Sequence, residues 1–279
     1  MNEFESLLRD WTRQDPFYRR ILGRASGHHR ESVLQARAKG FLAGIPFAHK
    51  TAKILGLEAN WKKASGDCIR KGEEIARFYG RVESILKFEN LVIGLIGKPS
   101  GIATAAREAS QKAGGRIRIV SGGWKKHPIL IKEIIQEAVA AGGLSTRIIE
   151  GPFLYLDKNY VRLFGGVGKT LIALGDNPTV KVIQVRGEFA PIDEETREAI
   201  RHGASVIMVD TGSWRDLEKV LRVMKKEQTT SGVNIAFAGG IQIRDIPALI
   251  KKGVNILDIG SAILDAPWLE LSYDLNLAR

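Results

Sequence analysis

Between Val233 and Leu264 the chain reads VNIAFAGGIQIRDIPALIKKGVNILDIGSAIL, and this stretch limits the fold more than any other. A short apolar strand, Asn234 to Ala238, runs into Gly239-Gly240, and helical periodicity follows over Ile243 to Lys252. A second strand, Ile256 to Ile259, ends in Gly260-Ser261, where another helix begins. Glycine at a strand end lets the backbone turn sharply and approach a ligand closely. The helix start that follows presents unpaired N–H groups and a positive dipole end, a combination that suits an anion. In (β/α) barrels a phosphate group sits between the last two such loops. Two turns in tandem therefore predict a phosphate site at Gly239, Gly240, Gly260 and Ser261. Glycines that serve only tight turns are the plainer alternative.

The same alternation extends upstream. Ile117 to Val120, Leu154 to Leu156, Val180 to Val185 and Val206 to Val209 are strand-like, largely apolar runs separated by helical segments. Strands buried on both faces read this way, and this many in succession predict a parallel sheet closed into a barrel. The earlier part of the chain has a different texture. Residues 1–30 read as two short helices broken near Asp15-Pro16 and Gly27, ending in a solvated HHRE loop. Val33 to Ala38 alternates, FLAGIPFAHKTAKILG reads as a turn into a helix, and Glu74 to Tyr79 is a further strand. Val82 to Ala109 is helical, with a predicted break at Gly97-Lys98-Pro99-Ser100-Gly101 because proline removes a helical hydrogen bond. A boundary near residue 105 follows, giving an N-terminal α/β domain over 1–105 and an α/β barrel over 106–279.

Composition narrows the functional classes. At 279 residues with 44% apolar and 26% charged side chains, the chain has the balance of a soluble globular protein. No apolar run approaches the roughly 20 residues of a membrane span. The opening MNEFESLLRDW is acidic and amphipathic, unlike a secretory signal, and a single cysteine, Cys68, fits a reducing cytoplasm. The formal charge of +11 invites a nucleic-acid reading. The basic residues are spread along the chain without a nucleic-acid-binding motif, and a small anionic substrate accounts for them equally well. His28-His29 has no Cys or His partner at metal-ligand spacing, so no metal site is predicted from side chains. GGVGKT at Gly165 to Thr170 imitates a P-loop, but position 163, where the motif needs glycine, is Leu163.

Several segments together resemble the quinolinate phosphoribosyltransferase family: ARAKGFLAGIPFA, FENLVIGLIGKPSGIATAA, AVAAGGLSTR, FLYLDKNYVRLFGGV, GASVIMVD, IAFAGGI and DIGSAILDAPWLELSYDL. The resemblance spans residues 32–275. It implies an N-terminal α/β sandwich, a C-terminal seven-stranded α/β barrel, and a homodimer or higher homo-oligomer whose sites borrow residues from the partner. It implies transfer of phosphoribose from phosphoribosyl pyrophosphate (PRPP) to the ring nitrogen of quinolinate, releasing pyrophosphate and CO2, with Mg²⁺. Such chemistry needs donors for phosphates. By analogy with glycoside chemistry it uses a carboxylate near an oxocarbenium-like ribose, and cations for the substrate carboxylates.

Carried over by position, the resemblance makes Asp210 the ribose-binding acid and Gly239, Gly240, Gly260 and Ser261 the phosphate grip. Arg147 matches the arginine of the family's His-Arg pair. Counting back from Ala138-Val139 puts Lys125 and Lys126 in the Arg-Lys places, with Lys126 as the catalytic lysine; counting forward from Arg118 shifts this by a residue or two. The acid-binding half departs from the pattern. Asn90 replaces the arginine before SGIAT, Thr146 the histidine of His-Arg, Gln184 a strand glutamate and Ala236 the glutamate before the GGI turn. Asp157-Lys158 inverts the first two charges of Lys-Asp-Asn-His. Such departures leave three alternatives open: an altered acceptor, a different reaction on a phosphorylated sugar or nucleotide, and a non-catalytic homologue that binds a ligand or a partner.

Charge-assisted hydrogen bonds contribute roughly 1.5–3 kcal/mol each, so Asn90 and Thr146 together remove about 4 kcal/mol of quinolinate recognition. That is about a thousandfold in affinity. Steady-state kinetics is therefore expected to give a quinolinate KM in the millimolar range; a sub-millimolar KM with turnover near 1 s⁻¹ or faster, roughly the ordinary enzyme range, would show that the substituted pocket compensates.

Overall fold

The computed structural model describes residues 20, 28–175, 179–227 and 232–276. The two short helices expected near the N-terminus fall almost wholly outside these residues. In chain order the elements are β1 (His29–Ala36), β2 (Gly40–Phe41), α1 (Ile45–Ile54), β3 (Glu58–Trp61), β4 (Cys68–Ile69), β5 (Glu74–Arg81) and α2 (Val82–Ala113). They continue with β6 (Arg118–Val120), α3 (Lys132–Ala141), β7 (Phe153–Leu156), α4 (Lys158–Phe164), α5 (Val167–Ala173), β8 (Val180–Val185) and α6 (Ile192–Arg201). The last are β9 (Val206–Asp210), α7 (Trp214–Lys226), β10 (Asn234–Ala238), α8 (Ile246–Lys251), β11 (Ile256–Asp258), α9 (Ser261–Leu264) and β12 (Leu271–Leu275). The chain divides into two compact units, one formed by residues up to 108, 124–144 and from 263 onward, the other by 109–123 and 145–262.

The first unit is built on a sheet in the order β12-β1-β5-β3. Every pairing in it is antiparallel, and β1 pairs with β5 from His29 to Gln35 and with the C-terminal β12 from Ser32 to Ala36. Its buried face packs Leu34, Phe78, Phe88, Val92, Ile96 and Tyr273 into one core. Phe78 and Phe88 lie 4.8 Å apart between ring centroids. The Ser32 hydroxyl donates to the Tyr273 hydroxyl at 2.6 Å, so these two buried hydroxyls satisfy each other. His29, expected in a solvated loop, instead opens β1 and stacks on Tyr79 at 5.6 Å.

Helix α2 corrects the sequence expectation of two helices meeting near Pro99, for it is continuous over 32 residues. Proline there leaves the Leu95 carbonyl without its helical donor. The freed carbonyl is packed against Gly44, where an added Cβ would lie 1.9 Å from the Leu95 oxygen. Nearby, the Gly97 carbonyl accepts the Leu269 N–H at 2.9 Å. The Ser100 and Thr104 hydroxyl oxygens accept the N–H groups of Ala43 and Phe41, each at 2.9 Å. The helix survives its proline because neighbouring backbone settles around the gap, and the SGIAT segment supplies the side chains that hold it there.

The second unit is a parallel sheet in the order β6-β11-β10-β9-β8-β7. Among the described residues its six paired strands form a curled half-barrel. On the outer side of β6 a single parallel bridge joins Val120 to Ser145. Val182, Val206, Met208, Ala236 and Ile256 fill one face of the sheet. The GGVGKT segment follows a helix, not a strand: Gly165 closes α4 at φ 78° and Gly166 leads into α5, so it is a helix corner. Among the described residues no helix is long and apolar enough to cross a membrane.

Gly44 sits at φ 83°, a conformation that L residues adopt only with strain, and directly against the Leu95 carbonyl. Gly44→Ala is expected to cost about 2 kcal/mol or more, measurable as a lowered midpoint of urea unfolding; an unchanged midpoint would contradict this packing.

Candidate active site

Because every strand of the second sheet points the same way, their C-terminal ends share one edge, where open α/β sheets and barrels place ligands. Asp210 is the last residue of β9. Its Oδ2 accepts from Gln184 Nε2 at 3.0 Å and from Arg186 Nη1 at 3.1 Å. Arg186 also donates to the Asp210 backbone carbonyl. Gln184 sits near the end of β8, where its Nε2 reaches the Tyr155 hydroxyl at 3.1 Å and its Oε1 accepts the Lys158 N–H at 2.8 Å. One amide thus ties three strand ends together: β7 through Tyr155, β8 through itself and β9 through Asp210.

Arg186 is held by its loop. Glu195, in the first turn of α6 and 2% exposed, accepts four backbone N–H groups. These belong to Arg186 at 2.9 Å, Gly187 at 2.8 Å, Glu188 at 3.0 Å and Phe189 at 3.1 Å. A carboxylate surrounded by N–H donors needs no cation to be stable when buried. Glu188, on the same loop, bridges Arg186 Nε at 3.2 Å and Arg162 Nε at 2.7 Å, and the Arg162 guanidinium holds its carboxyl below the usual range. Burial pushes the Tyr155 phenol well above its ordinary pKa, and the charges of Asp258, Asp210 and Asp157 act in the same direction. The phenol therefore stays protonated at physiological pH.

The tandem glycine turns form the other side of this edge. Gly239 and Gly240 have φ of 100° and 75°, and Gly212 has φ 67°. Gly212 and Gly239 pack backbone on backbone: a Cβ on Gly212 would lie 2.2 Å from the Gly239 oxygen, and one on Gly239 2.5 Å from the Gly212 nitrogen. Only glycine fits either position. A Cβ at Gly240 or at Gly260 would meet nothing within 4 Å, so these two leave backbone open to a ligand. Gln242 Nε2 donates to the Gly240 carbonyl at 3.1 Å and braces the turn, and Ser261 opens α9 with an exposed side chain.

The remaining positions singled out in the sequence find local partners. Asp157 is the N-cap of α4, accepting the Asn159 and Tyr160 N–H groups at 2.8 and 3.4 Å, which explains an acid at that place. The Lys158 side chain is exposed. Arg147 lies over the Phe153 ring at 5.2 Å and donates to the Gly151 carbonyl at 2.7 Å. Arg118 holds the same loop from β6 by donating to the Arg147 carbonyl at 3.0 Å. Asn90, on α2, donates to the Leu86 carbonyl at 3.2 Å. Lys125 and Lys126 are exposed in a 3-10 turn, Gly122–Lys126, directly after β6. Asn90, Lys125 and Lys126 belong to the first unit.

Two domain models of quinolinate phosphoribosyl transferase match the chain, the N-terminal domain over residues 18–100 and the C-terminal domain over residues 102–274. The chain belongs to the quinolinate phosphoribosyltransferase family. A probable nicotinate-nucleotide pyrophosphorylase (carboxylating) of Bacillus subtilis (strain 168) is 27% identical over 256 residues, covering 89% of this chain and 84% of that protein. The human nicotinate-nucleotide pyrophosphorylase (carboxylating) is 23% identical over 253 residues, covering 88% and 82%. The solved nicotinate-nucleotide pyrophosphorylase of Francisella tularensis superposes with a TM-score of 0.80 at 20% identity, covering 98% of this chain and 95% of that one. At that identity the superposition establishes the fold alone.

Against the family pattern, Gln184 and Asp210 are brought into direct contact, and the glycine pairs fall at the same sheet edge. The sequence reading missed Arg186, Glu195, Tyr155 and Asp258. Asp258 had a signal, since NILD ends an apolar strand as IMVD does; its Oδ1 accepts the Gly122 N–H at 2.7 Å. Glu195 had none, because an acid in a first helical turn looks like a dipole partner.

Removing the Glu195 carboxylate would orphan up to four N–H groups. Glu195→Ala is expected to cost about 3 kcal/mol or more in thermal or urea unfolding, whereas Glu188→Ala, which breaks exposed pairs, costs under about 1 kcal/mol; equal costs would refute the clamp.

Proposed function

We propose that this protein is a phosphoribosyltransferase of the quinolinate type, which joins PRPP and a pyridine carboxylate to give nicotinate mononucleotide, pyrophosphate and CO2. The observation that carries the reading is Asp210, set by Gln184 and Arg186 at the strand edge that also bears the open Gly239-Gly240 and Gly260-Ser261 turns. The glycine turns take the 5′-phosphate through backbone N–H groups. Asp210 accepts from the ribose hydroxyls and opposes the positive charge that develops at the ribose as pyrophosphate departs. The acceptor nitrogen forms the new bond to that carbon, and loss of CO2 follows. By family position Lys126, or Lys125 in the alternative pairing, is the catalytic lysine, and Asn90, Lys125, Arg147, Asp157 and Lys158 are assigned to the acceptor. The names of the relatives support this reading.

Mg²⁺ belongs to the proposal with PRPP. Among the described residues no group of three or more His, Cys, Asp and Glu side chains could hold a metal by itself. Mg²⁺ typically takes one or two carboxylates and completes its shell with water and substrate phosphates. Asp210 and Asp258, both closing strands at the same edge, fit that smaller demand. When bound, the ion neutralises charge on the departing pyrophosphate. We further propose that Ser145 marks the seventh barrel position and that the protein works as a homodimer in a reducing cytoplasm.

The test follows nicotinate mononucleotide from PRPP, Mg²⁺ and millimolar quinolinate. Wild-type protein is expected to form it, and Asp210→Asn to lower kcat about 100-fold or more. No product from wild-type protein, or an Asp210→Asn variant as fast as wild type, would overturn the proposal.

A further inference from the structure

The proposed reaction leaves part of the basic excess of the chain unused, and one cluster of it lies away from the strand ends. Helices α6 and α7 pack side by side on the sheet. Between them is a cavity of about 300 Å³ lined by Asp193, Arg197, Lys219, Arg222, Val223 and Lys226. Four of these six residues are cations and one is an acid. On α7, Lys219, Arg222 and Lys226 recur at intervals of three and four, so they share one face of the helix. Leu217, Val220 and Val223 of the same helix are buried. Val223 forms the apolar floor, a low-dielectric wall that strengthens attraction to an anion above it.

The four cations are not equivalent. Arg197 is already engaged by Asp193 at 3.3 Å, Glu227 at 3.6 Å and Glu194 at 3.8 Å. Lys219 pairs with Asp216 at 3.9 Å. Arg222 uses Nε on the Glu218 backbone carbonyl at 3.3 Å, and neither it nor Lys226 pairs with a carboxylate among the described residues. Among the lining residues cations thus outnumber acids four to one, with the Glu218 carboxylate within electrostatic reach of Arg222. The groove is distinct from the strand-end site, since Arg222 lies about 13 Å along the helix axis from the Ser213 N-cap.

The geometry points to a second anion site here, for a compact oligophosphate of two or three phosphate groups. From Lys219 to Lys226 the helix rises about 10 Å, which matches a short phosphate chain. No aromatic side chain lines the cavity, so nothing is present on which a base could stack. Glu194, Asp216, Glu218 and Glu227 flank these cations as ion-pair partners, so only an anion small enough to stay among the lining cations avoids like charge. Length and lining therefore favour inorganic diphosphate or triphosphate, or the phosphate tail of a nucleotide, over a nucleic acid.

Calorimetric titration of the full chain with inorganic triphosphate near 0.15 M salt, with ribose 5-phosphate saturating the strand-end site, tests this. Saturable binding is expected. Arg222→Gln with Lys226→Gln should weaken it about tenfold or more. Lys225→Gln with Lys251→Gln, an equal charge loss at exposed lysines outside the cavity, should change it less than about twofold. Equal affinity for ATP and triphosphate supports recognition of the phosphate chain alone, and tighter ATP binding supports a nucleotide source. The inference is overturned by absent saturation, by equal weakening in both double variants, or by an oligonucleotide that binds more tightly than triphosphate and loses that binding in the Arg222/Lys226 variant.

Discussion

All six strands of the second sheet run in one direction, and the candidate site depends on that constraint. A parallel strand must be followed by a return path, so each strand ends in a loop at the same edge. Tyr155, Gln184, Asp210 and Asp258 come from four different strands, yet each stands at or next to its strand's C-terminal end. The hydrogen bonds of Gln184 to Tyr155 and Asp210 are possible only because β7, β8 and β9 are neighbours in register.

Rigidity at this edge comes from backbone donors gathered on buried acceptors. Glu195 collects the loop after β8 and thereby aims Arg186 at Asp210. The contact between Gly212 and Gly239 locks the loops after β9 and β10 together without any side chain. A site meant to stabilise charge that develops in a transition state benefits from such fixed dipoles, because they need not reorganise as the reaction proceeds. The Arg186 guanidinium also draws on the same Asp210 oxygen that Gln184 uses, leaving the carboxylate with one oxygen more open to a ligand.

The first unit follows a different logic. Its sheet is antiparallel, its core is mainly isoleucine, leucine and alanine around Phe78 and Phe88, and its long helix carries a proline that composition alone marks as a break. The break does not occur because the freed Leu95 carbonyl faces Gly44, while Ser100 and Thr104 hold the segment 41–43 against the helix. The SGIAT pattern thus has a structural role in this chain.

Local sequence determined the elements well. The strands around Asn234, Val206, Val180 and Phe153, the helix at Ile45 and the glycine turns all lie within a residue or two of where periodicity and turn residues put them. That is expected, because hydrophobic period and glycine freedom are properties of short windows. Asp210 was legible for the same reason, as an acid that closes an apolar run. Tertiary structure alone decided the continuity of α2 through Pro99, the number of paired strands in the sheet and the grouping of Arg186 and Glu195 with Asp210. Each of these rests on groups distant in the chain: a glycine that accommodates a freed carbonyl, a neighbouring strand that accepts or lacks a ladder, and a helix acid that reaches back to the preceding loop. Such partners carry no signal in a window of ten residues, since what selects them is the shape and charge of the chain folded beside them.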